Sequence, residues 1–300
     1  MTALLPTRRI RPDVDADADA GPRSRTSRPV KLLLHLVVIA AGAVMIYPLL
    51  WMIASALKPE AEIFAEPGLW PNTFTWENFS TGWMALGIPF STFFLNSFVI
   101  AAISVVGNLF SCSLAAYAFA RLDFRFKKTL FATMLATIML PFHVTLVPQY
   151  ILFQSIDWTN TYFPLVVPKF LAVDAFFIFL MVQFIRGLPR SLDDAATVDG
   201  CGPFGVFWRV ILPLMRPALA VAAIFTFIWT WNDFLGPLLY ITDRALYTAP
   251  IALNAFLDST GATSWGPMFA MSTLSLLPLF LVFLFAQKHL IKGIATTGLK

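Results

Sequence analysis

Six long runs of apolar residues constrain the fold of this 300-residue chain more than any other feature. A helix needs about 20 apolar residues to cross the roughly 30 Å hydrocarbon core of a bilayer, and each run is at least that long. Hydrophobic residues make up 58% of the chain and charged residues 13%, against about 45–50% and 25% in soluble proteins. The sequence therefore predicts an all-α integral membrane protein with six transmembrane helices, over about Leu32–Leu57, Phe90–Ala120, Leu130–Phe153, Pro164–Ile185, Ile211–Tyr240 and Met268–Ile291.

Two other interpretations of the apolar runs fit less well. The first run could be a secretory signal cleaved after Ala54–Ala56, but the apolar core of a signal peptide is usually about 7–15 residues long and this run is longer. Strands of a membrane β-barrel would be about 10 residues long with alternating polarity, and these runs do not alternate. We expect an uncleaved first helix followed by five more.

The distribution of positive charge predicts the orientation. Lys and Arg total 21, of which seven lie in the tail up to Lys31, four in the RLDFRFKK loop, four in residues 186–216 and three from Lys288 to the end, 18 in all. Only Lys58 and Arg244 lie in the alternate loops. Because positive residues concentrate on the cytoplasmic side, we expect both termini to be cytoplasmic and the loops at about 58–89, 154–163 and 241–267 to lie outside. The net charge of +4 then follows from topology and indicates no nucleic-acid partner.

Two regions follow from this organisation. Residues 1–30 combine six arginines and the repeat DADADA with too little apolar content to form a core, so they are predicted to be a disordered cytoplasmic tail. Residues 31–300 form the transmembrane domain, which lies in the cell membrane.

A polar insert, residues 186–216, separates the fourth and fifth runs on the predicted cytoplasmic side. Ser191 and Asp194 fit a capping box at the start of a helix, and the two aspartates of the first turn suit its dipole. Gly200 can take the left-handed conformation that ends a helix, and Pro203 suits the first turn of the next. The insert is therefore predicted to form a helix, a glycine turn and a second helix.

Local chemistry alone leaves the role of the first insert helix open. Ala195 and Ala196, with Asp199 one turn later, would allow another surface to approach the backbone closely. The same residues would equally form a capped loop that is merely solvated.

The spacing in the insert resembles the EAA loop of ABC importer permeases. That motif has Glu-Ala-Ala, three residues, Gly, nine residues, Ile, any residue and Leu-Pro. This chain matches it at Ala195, Ala196, Gly200, Leu212 and Pro213, and departs from it conservatively with Asp194 for Glu and Val210 for Ile. Further stretches are similar to sugar-importer permeases of the maltose-transporter inner-membrane class: NSFVIA from Asn96, AYAFARLDFRFKK from Ala116, LPFHVTLVPQYILF from Leu140, FIWTWNDFLGPLLY from Phe227 and the closing GIATTGLK.

The resemblance implies a transport subunit and not an enzyme. It implies a heterodimer with a second permease, two cytoplasmic ATPase subunits that hold the ATP and Mg²⁺, and an extracytoplasmic solute-binding protein. The first insert helix would be the coupling helix that docks on an ATPase subunit, through Asp194, Ala195, Ala196, Asp199 and Gly200. A cofactor bound by this chain itself is not implied, and a non-sugar solute remains an alternative.

Other motifs carry less weight. GCGPFG at 200–205 matches G-x-G-x-x-G, but a dinucleotide site needs that pattern directly after a strand. A P-loop, a G-x-S-x-G and an H-E-x-x-H motif are all absent from the sequence, which disfavours an intramembrane enzyme. The three histidines, His35, His143 and His289, lack metal-ligand spacing. A carrier driven by an ion gradient would give no reason for the insert.

Polar residues near the predicted spans are candidates for the solute path, because charge inside a span costs about 2.5–3.5 kcal/mol at the helix centre. Amides and carboxylates beside indoles suit sugars, although polar contacts between helices are an alternative role. Lys169 and Asp174 lie five positions apart in the sequence, which is about 140° around a regular helix. No direct ion pair is therefore expected, and Lys169 is expected to reach the membrane interface. The candidates are Asn96, Asp174, Trp231, Asn232 and Asp233.

Overall fold

The computed structural model of the chain describes residues 28–257 and 263–295. The predicted tail before residue 28 and the end of the closing GIATTGLK segment lie outside the described residues. Every regular element in the described residues is helical, which confirms the all-α prediction.

The helices follow one another with mostly short connections. A 3-10 turn at Val167–Leu171 follows α7, a π-helical turn at Phe207–Ile211 follows α10, and a second 3-10 turn covers Arg244–Leu246. The α-helices are α1 (Arg28–Ser55), α2 (Glu60–Ala65), α3 (Glu77–Met84), α4 (Phe90–Arg121), α5 (Lys127–Thr137), α6 (Phe142–Ser155), α7 (Phe163–Val166), α8 (Ala175–Arg186), α9 (Ser191–Val198), α10 (Pro203–Val206), α11 (Leu212–Leu214), α12 (Arg216–Trp231), α13 (Leu235–Tyr240), α14 (Ala249–Asn254) and α15 (Trp265–Ala295).

The chain divides into two units, Met1–Leu49 and Leu50–Lys300. The described part of the first unit is the beginning of α1. The most apolar 18-residue window of this helix contains no buried residue. A helix that is apolar on every side and buried on none requires an apolar environment, and lipid supplies one.

Helix α4 forms the centre of the second unit and packs against α8, α12 and the 3-10 turn at Val167–Leu171. Small side chains on a buried face let helices approach closely in a membrane. Asn108 Nδ2 donates to Thr226 Oγ1 at 2.8 Å, which joins α4 to α12. The small residues on the buried face of α4 include Ser97, Ala101, Ser104, Gly107, Ser111 and Ala116.

Four helical segments are long and apolar enough to cross a bilayer, and they correspond to the first, second, fourth and sixth predicted spans. The region of the fifth predicted span consists of two helical segments, Pro203–Leu214 and Arg216–Trp231, which meet at an angle of 75°. Taken together as one bent span, these two segments would raise the number of spans to five. These numbers of membrane-spanning segments refer to the described residues, 28–257 and 263–295. The four segments are Pro29–Ala56, Phe90–Arg121, Phe163–Arg186 and Trp265–Gln287.

The predicted third span is broken in two. Helix α5 ends at Thr137 and α6 begins at Phe142, with Pro141 between them. Proline lacks an N–H group and disfavours helical conformation in the residue before it. The two helices have 11 and 14 residues, each short of the roughly 20 that a crossing requires. A continuous third span is therefore not present, and the total of six stays a prediction.

Gly82 in α3 sets how closely this helix approaches α15. A β-carbon at Gly82 would lie 2.9 Å from the carbonyl oxygen of Pro267 and 3.1 Å from Met271 Cγ. Because backbone cannot move aside as a side chain can, we expect Gly82→Val to lower the stability of the purified protein by about 1–3 kcal/mol, the usual effect of overpacking. Thermal unfolding in detergent should show a lower midpoint.

Gly68, in the loop between α2 and α3, provides a control, because a β-carbon there would meet no atom within 4 Å. Gly68→Val should leave the unfolding midpoint close to that of the wild type. Equal midpoints for Gly68→Val and Gly82→Val would show that α3 and α15 do not pack this closely.

Candidate functional site

The polar insert contains a short helix that ends in a Schellman motif. Gly200 has φ +83°, its N–H donates to Thr197 O at 3.0 Å, and the Cys201 N–H donates to Ala196 O at 2.9 Å. This pair of hydrogen bonds satisfies the last carbonyl groups of α9 and requires a left-handed residue, which glycine adopts without strain. Pro203 then begins α10. The predicted helix, glycine turn and helix are confirmed.

The predicted capping box at Ser191 is wrong. Ser191 is the first residue of α9, and Arg190 occupies the cap position with no side-chain hydrogen bond. Arg190 already has helical dihedral angles, φ −66° and ψ −24°, and its carbonyl oxygen accepts the N–H groups of Asp193 and Asp194 at 2.9 and 3.1 Å. Because the chain turns before Ser191, this serine lacks the extended conformation that a cap requires.

The last turn of α4 binds the insert at three points. Arg121 Nε lies 2.7 Å from Asp193 Oδ2, and Arg121 Nη2 donates to Leu188 O at 2.9 Å. Tyr117 OH donates to Pro203 O at 2.9 Å. The Arg121 and Asp193 side chains are only 6% and 19% exposed, so this ion pair is screened far less than a surface pair. The position of α9 is therefore tied to the end of the central helix.

The outer face of α9 is open. Asp194, Ala195 and Asp199 are exposed, and the Val198 side chain is 88% exposed. Ala196 differs from these candidates because it is buried, 8% exposed, in the core cluster that contains Phe207 and Ile211. One face of α9 is thus exposed to solvent, while the opposite face packs against the rest of the protein through Ala196.

At the end of the insert, just before α12, the chain bends. The π-helical turn at Phe207–Ile211 precedes Pro213, and Pro217 lies in the first turn of α12. Prolines remove backbone hydrogen bonds from the helix interior, and π-turns mark places where the ladder of hydrogen bonds shifts. These features account for the 75° bend between the two segments.

A cavity of about 210 Å³ lies among α4, the segment before α8 and the end of α12. Its wall combines a carboxylate, an ammonium group, hydroxyl groups and an indole with apolar side chains. Such a mixture in a largely apolar region is typical of a path for a polar solute. The lining residues are Ser97, Ile100, Leu165, Lys169, Trp229, Thr230, Asp233, Pro237 and Thr248.

Lys169 and Asp174 form a direct ion pair, which corrects the sequence-based prediction. Lys169 Nζ lies 2.9 Å from Asp174 Oδ2, with side chains 26% and 23% exposed. The prediction assumed one regular helix. Instead the 3-10 turn ends at Leu171, and Ala172 has φ +54° and ψ +43°, so the chain reverses between the two residues and brings them together. The expectation that Lys169 reaches the membrane interface stays a prediction.

Of the other predicted path residues, only Asp233 lines this cavity. Asn96 Nδ2 donates to the carbonyl oxygens of Ala245 and Tyr247 at 2.9 and 3.0 Å, so it fixes an outer loop. Trp231 is buried, and its Nε1 donates to Ser275 O at 3.2 Å. Asn232 Nδ2 donates to Ile228 O at 2.9 Å in its own helix. The contacts of Asn96 and Trp231 join separate structural elements, whereas the contact of Asn232 stays within its own helix.

Three hydroxyl groups in the cavity wall were missed by the reasoning from sequence. Ser97, Thr230 and Thr248 are hydroxyl residues in mainly apolar stretches, and hydroxyl groups of this kind commonly bond within their own helix. Only the fold brings α4, α12 and the loop before α14 to one cavity.

The predicted outer loops are tied to the helices around them. Glu60 accepts the N–H groups of Trp265 and Gly266 at 2.9 Å each, which satisfies free donors at the start of α15. Asn160 Oδ1 accepts the N–H groups of Thr242 and Asp243 at 3.1 and 2.8 Å. Exposed aromatic side chains project from the first loop, Trp70 being 80% and Trp76 69% exposed.

Residues 107–296 match the family model described as the binding-protein-dependent transport system inner membrane component. This match contains both the polar insert and most of the cavity residues.

Several curated proteins are similar over nearly the whole chain. A probable ABC transporter permease protein, YurM, from Bacillus subtilis (strain 168) is 36% identical, covering 96% of this chain and 95% of its own. The arabinooligosaccharides transport system permease protein AraQ from Halalkalibacterium halodurans is 32% identical, covering 93% and 99%. The sn-glycerol-3-phosphate transport system permease protein UgpE from Yersinia pestis is 31% identical, covering 89% and 96%.

A solved structure has the same fold. It is a chain of a bacterial ABC transporter involved in the import of the acidic polysaccharide alginate, with a TM-score of 0.77 and 19% sequence identity, and the match covers 89% of this chain and 99% of that one. At this identity the match concerns the fold alone.

Proposed function

This chain belongs to the family of binding-protein-dependent transport system inner membrane components, and from that membership we propose that it is the permease subunit of an ATP-driven sugar importer. Its relatives are permeases of ABC transport systems, two of them named for arabinooligosaccharides and for sn-glycerol 3-phosphate. Oligosaccharides or related polyols are accordingly the proposed solutes. A non-sugar solute carried by the same type of permease is the alternative.

The observation that carries the proposal is the construction of α9. It is a short helix whose outer face is exposed, whose inner face is seated by Ala196, and whose first turn is joined to α4 through the ion pair of Arg121 and Asp193. A merely solvated loop does not need a partly buried ion pair to the central helix. A helix that is moved by a partner protein needs such a connection, because the displacement of the helix must be transmitted to the membrane-spanning helices.

We assign the docking of an ATPase subunit to the exposed residues of this helix, Asp194, Ala195 and Asp199. Small side chains let a partner surface approach the backbone, and the carboxylates can pair with positive groups on it. Gly200 fixes the direction in which the chain leaves the helix. Ala196 contributes indirectly, since it positions the docking face.

The proposed topology has six spans with both termini in the cytoplasm of a cell-membrane protein. Helices α5 and α6 together make the third span, broken at Pro141. The concentration of Lys and Arg on alternate loops supports this orientation. In this proposed topology, α9 lies on the cytoplasmic side. The loops that carry Trp70, Trp76 and Asn160 lie on the outer side, where a solute-binding protein would bind.

The proposed partners supply what this chain lacks. A second permease chain completes the pathway, two ATPase subunits hold ATP and Mg²⁺, and a solute-binding protein delivers the sugar. Closure of the ATPase pair would move α9 and, through Arg121, tilt α4 and the helices packed against it. The pathway would then open alternately to the two sides of the membrane.

The proposal is tested by reconstituting the complete transporter in lipid vesicles. We expect ATP hydrolysis to rise when the loaded solute-binding protein is added outside, and labelled arabino-oligosaccharide or another neutral sugar to accumulate inside only with ATP. Uptake that is independent of ATP, or hydrolysis that does not respond to the binding protein, would contradict the proposed function.

A further inference from the structure

The cavity between α4, the segment before α8 and the end of α12 has a distribution of charge that selects among solutes. Three charged side chains lie at or beside it, Lys169 and Asp233 in its wall and Asp174 next to Lys169. A charge in such surroundings that is not balanced by a partner acts on whatever enters.

The positive charge of Lys169 is already engaged. Its ammonium group lies 2.9 Å from the Asp174 carboxylate, so this pair contributes little net charge to the cavity. The Asp233 carboxylate has no ion-pair partner within 4.0 Å among the described residues. Two carboxylates against one ammonium group leave the site with a net negative charge, and Asp233 is the carboxylate without a direct ion-pair partner in the part of the chain that the structure describes.

Local backbone fixes the position of this carboxylate. Asp233 Oδ1 accepts the N–H group of Gly236 at 3.1 Å, and a β-carbon at Gly236 would lie 2.5 Å from Asp233 Oδ2. Glycine at position 236 thus leaves room for the carboxylate beside the first turn of α13. Asp233 is held in the cavity wall and does not swing freely.

The remainder of the wall suits a hydroxylated ring. Ser97 and Thr230 line the cavity with Thr248, which is only 4% exposed and whose hydroxyl oxygen has no hydrogen-bond partner among the described residues. Trp229, which is 51% exposed, adds an indole to the wall. The 210 Å³ volume corresponds to about seven water molecules at roughly 30 Å³ each, which is room for one small ring.

We propose that this cavity is a contact subsite for a single neutral, polyhydroxylated ring, and that Asp233 excludes anionic solutes such as sugar phosphates and uronates from it. The inference rests on the proposed transport function and adds a solute class to it. Hydroxyl groups donate to the carboxylate and exchange hydrogen bonds with Thr248, whereas a phosphate or carboxylate meets a like charge.

The test measures the charge preference of the cavity directly. Thr230→Cys is introduced beside Cys201→Ser in the reconstituted complex, and labelling of this chain by a cationic and an anionic methanethiosulfonate is followed by intact mass. After normalisation to the reaction rates with free cysteine, we expect the cationic reagent to react roughly tenfold faster, the ratio that one uncompensated nearby charge produces.

Removing the charge should abolish the preference. With Asp233→Asn added, the normalised ratio should fall to about one, since the opposing charge is gone. The matched control is Asp123→Asn, which removes a carboxylate whose side chain is 94% exposed in a distant loop and should leave the ratio unchanged. We also expect methyl glucoside, but not glucose 6-phosphate, to slow labelling when Asp233 is present.

Three results would overturn the inference: no labelling at position 230, equal normalised rates, or a ratio that Asp233→Asn leaves unchanged. Stimulated ATP hydrolysis is measured on the same vesicles before labelling. Stimulation without charge preference would contradict the subsite and leave the import function standing. Charge preference without stimulation would contradict the import function and leave the negative cavity standing.

Discussion

Replacing Gly200 with proline is expected to abolish the stimulation of ATP hydrolysis by the solute-binding protein while the complex still assembles. Proline fixes φ near −65° and has no N–H group, whereas Gly200 has φ +83° and donates to Thr197 O at 3.0 Å. The substitution therefore breaks the Schellman motif and redirects the chain after α9. We expect a loss of at least about tenfold in stimulated hydrolysis, measured on vesicles that contain the complete transporter.

Two variants separate this conformational effect from a loss of folding. Gly202 has φ −71° and a β-carbon there would meet no atom within 4 Å, so Gly202→Ala should retain stimulated hydrolysis. Gly200→Asn should retain part of it, because asparagine tolerates the left-handed conformation. If Gly200→Pro hydrolyses ATP and imports sugar like the wild type, α9 is a capped loop and not a coupling element.

The second large effect is expected from Arg121→Met. This change removes the ion pair to Asp193 and the hydrogen bond to Leu188 O, and it leaves the Asp193 carboxylate, 19% exposed, without its cation. Breaking a largely buried pair costs more than an exposed pair is worth. We expect binding-protein-stimulated hydrolysis and uptake to fall by about tenfold, with basal hydrolysis retained, because α9 no longer moves α4.

A double-mutant cycle tests whether the pair acts as a unit. The combination of Arg121→Met with Asp193→Asn should impair uptake no more than Arg121→Met alone, since residues in direct contact are not additive. Asp123→Asn serves as the control, because the Asp123 side chain is 94% exposed and its partner Lys127 lies four residues away in sequence, so that this pair should matter little. Additive losses in the cycle would show that Arg121 and Asp193 contribute separately.

Helix α4 connects the two parts of the proposed mechanism. Arg121 lies in its last turn and Ser97 of the cavity near its start, about 36 Å apart at 1.5 Å per residue. Small residues along the buried face pack it against α8 and α12. A displacement of α9 that reaches Arg121 can therefore alter the cavity through a single rigid element.

The sequence predicted best where local chemistry dominates. Long apolar runs identified the membrane helices, because lipid leaves a helical backbone as the solution for such segments. Gly200 and Pro203 predicted the turn in the insert, since each residue type has a restricted or special backbone conformation. At Ser191 the same reasoning was wrong, because the conformation of Arg190 started the helix one residue earlier.

By itself, the sequence determined that the chain is helical, that it belongs in a membrane, and that a polar, glycine-closed helix interrupts it. Tertiary structure alone decided which polar residues meet. It paired Lys169 with Asp174 through the left-handed Ala172, placed Arg121 on Asp193 across 72 residues, and gathered Ser97, Thr248 and Asp233 around one cavity. Local patterns encode backbone conformation and polarity, whereas contacts between distant residues depend on how the helices pack.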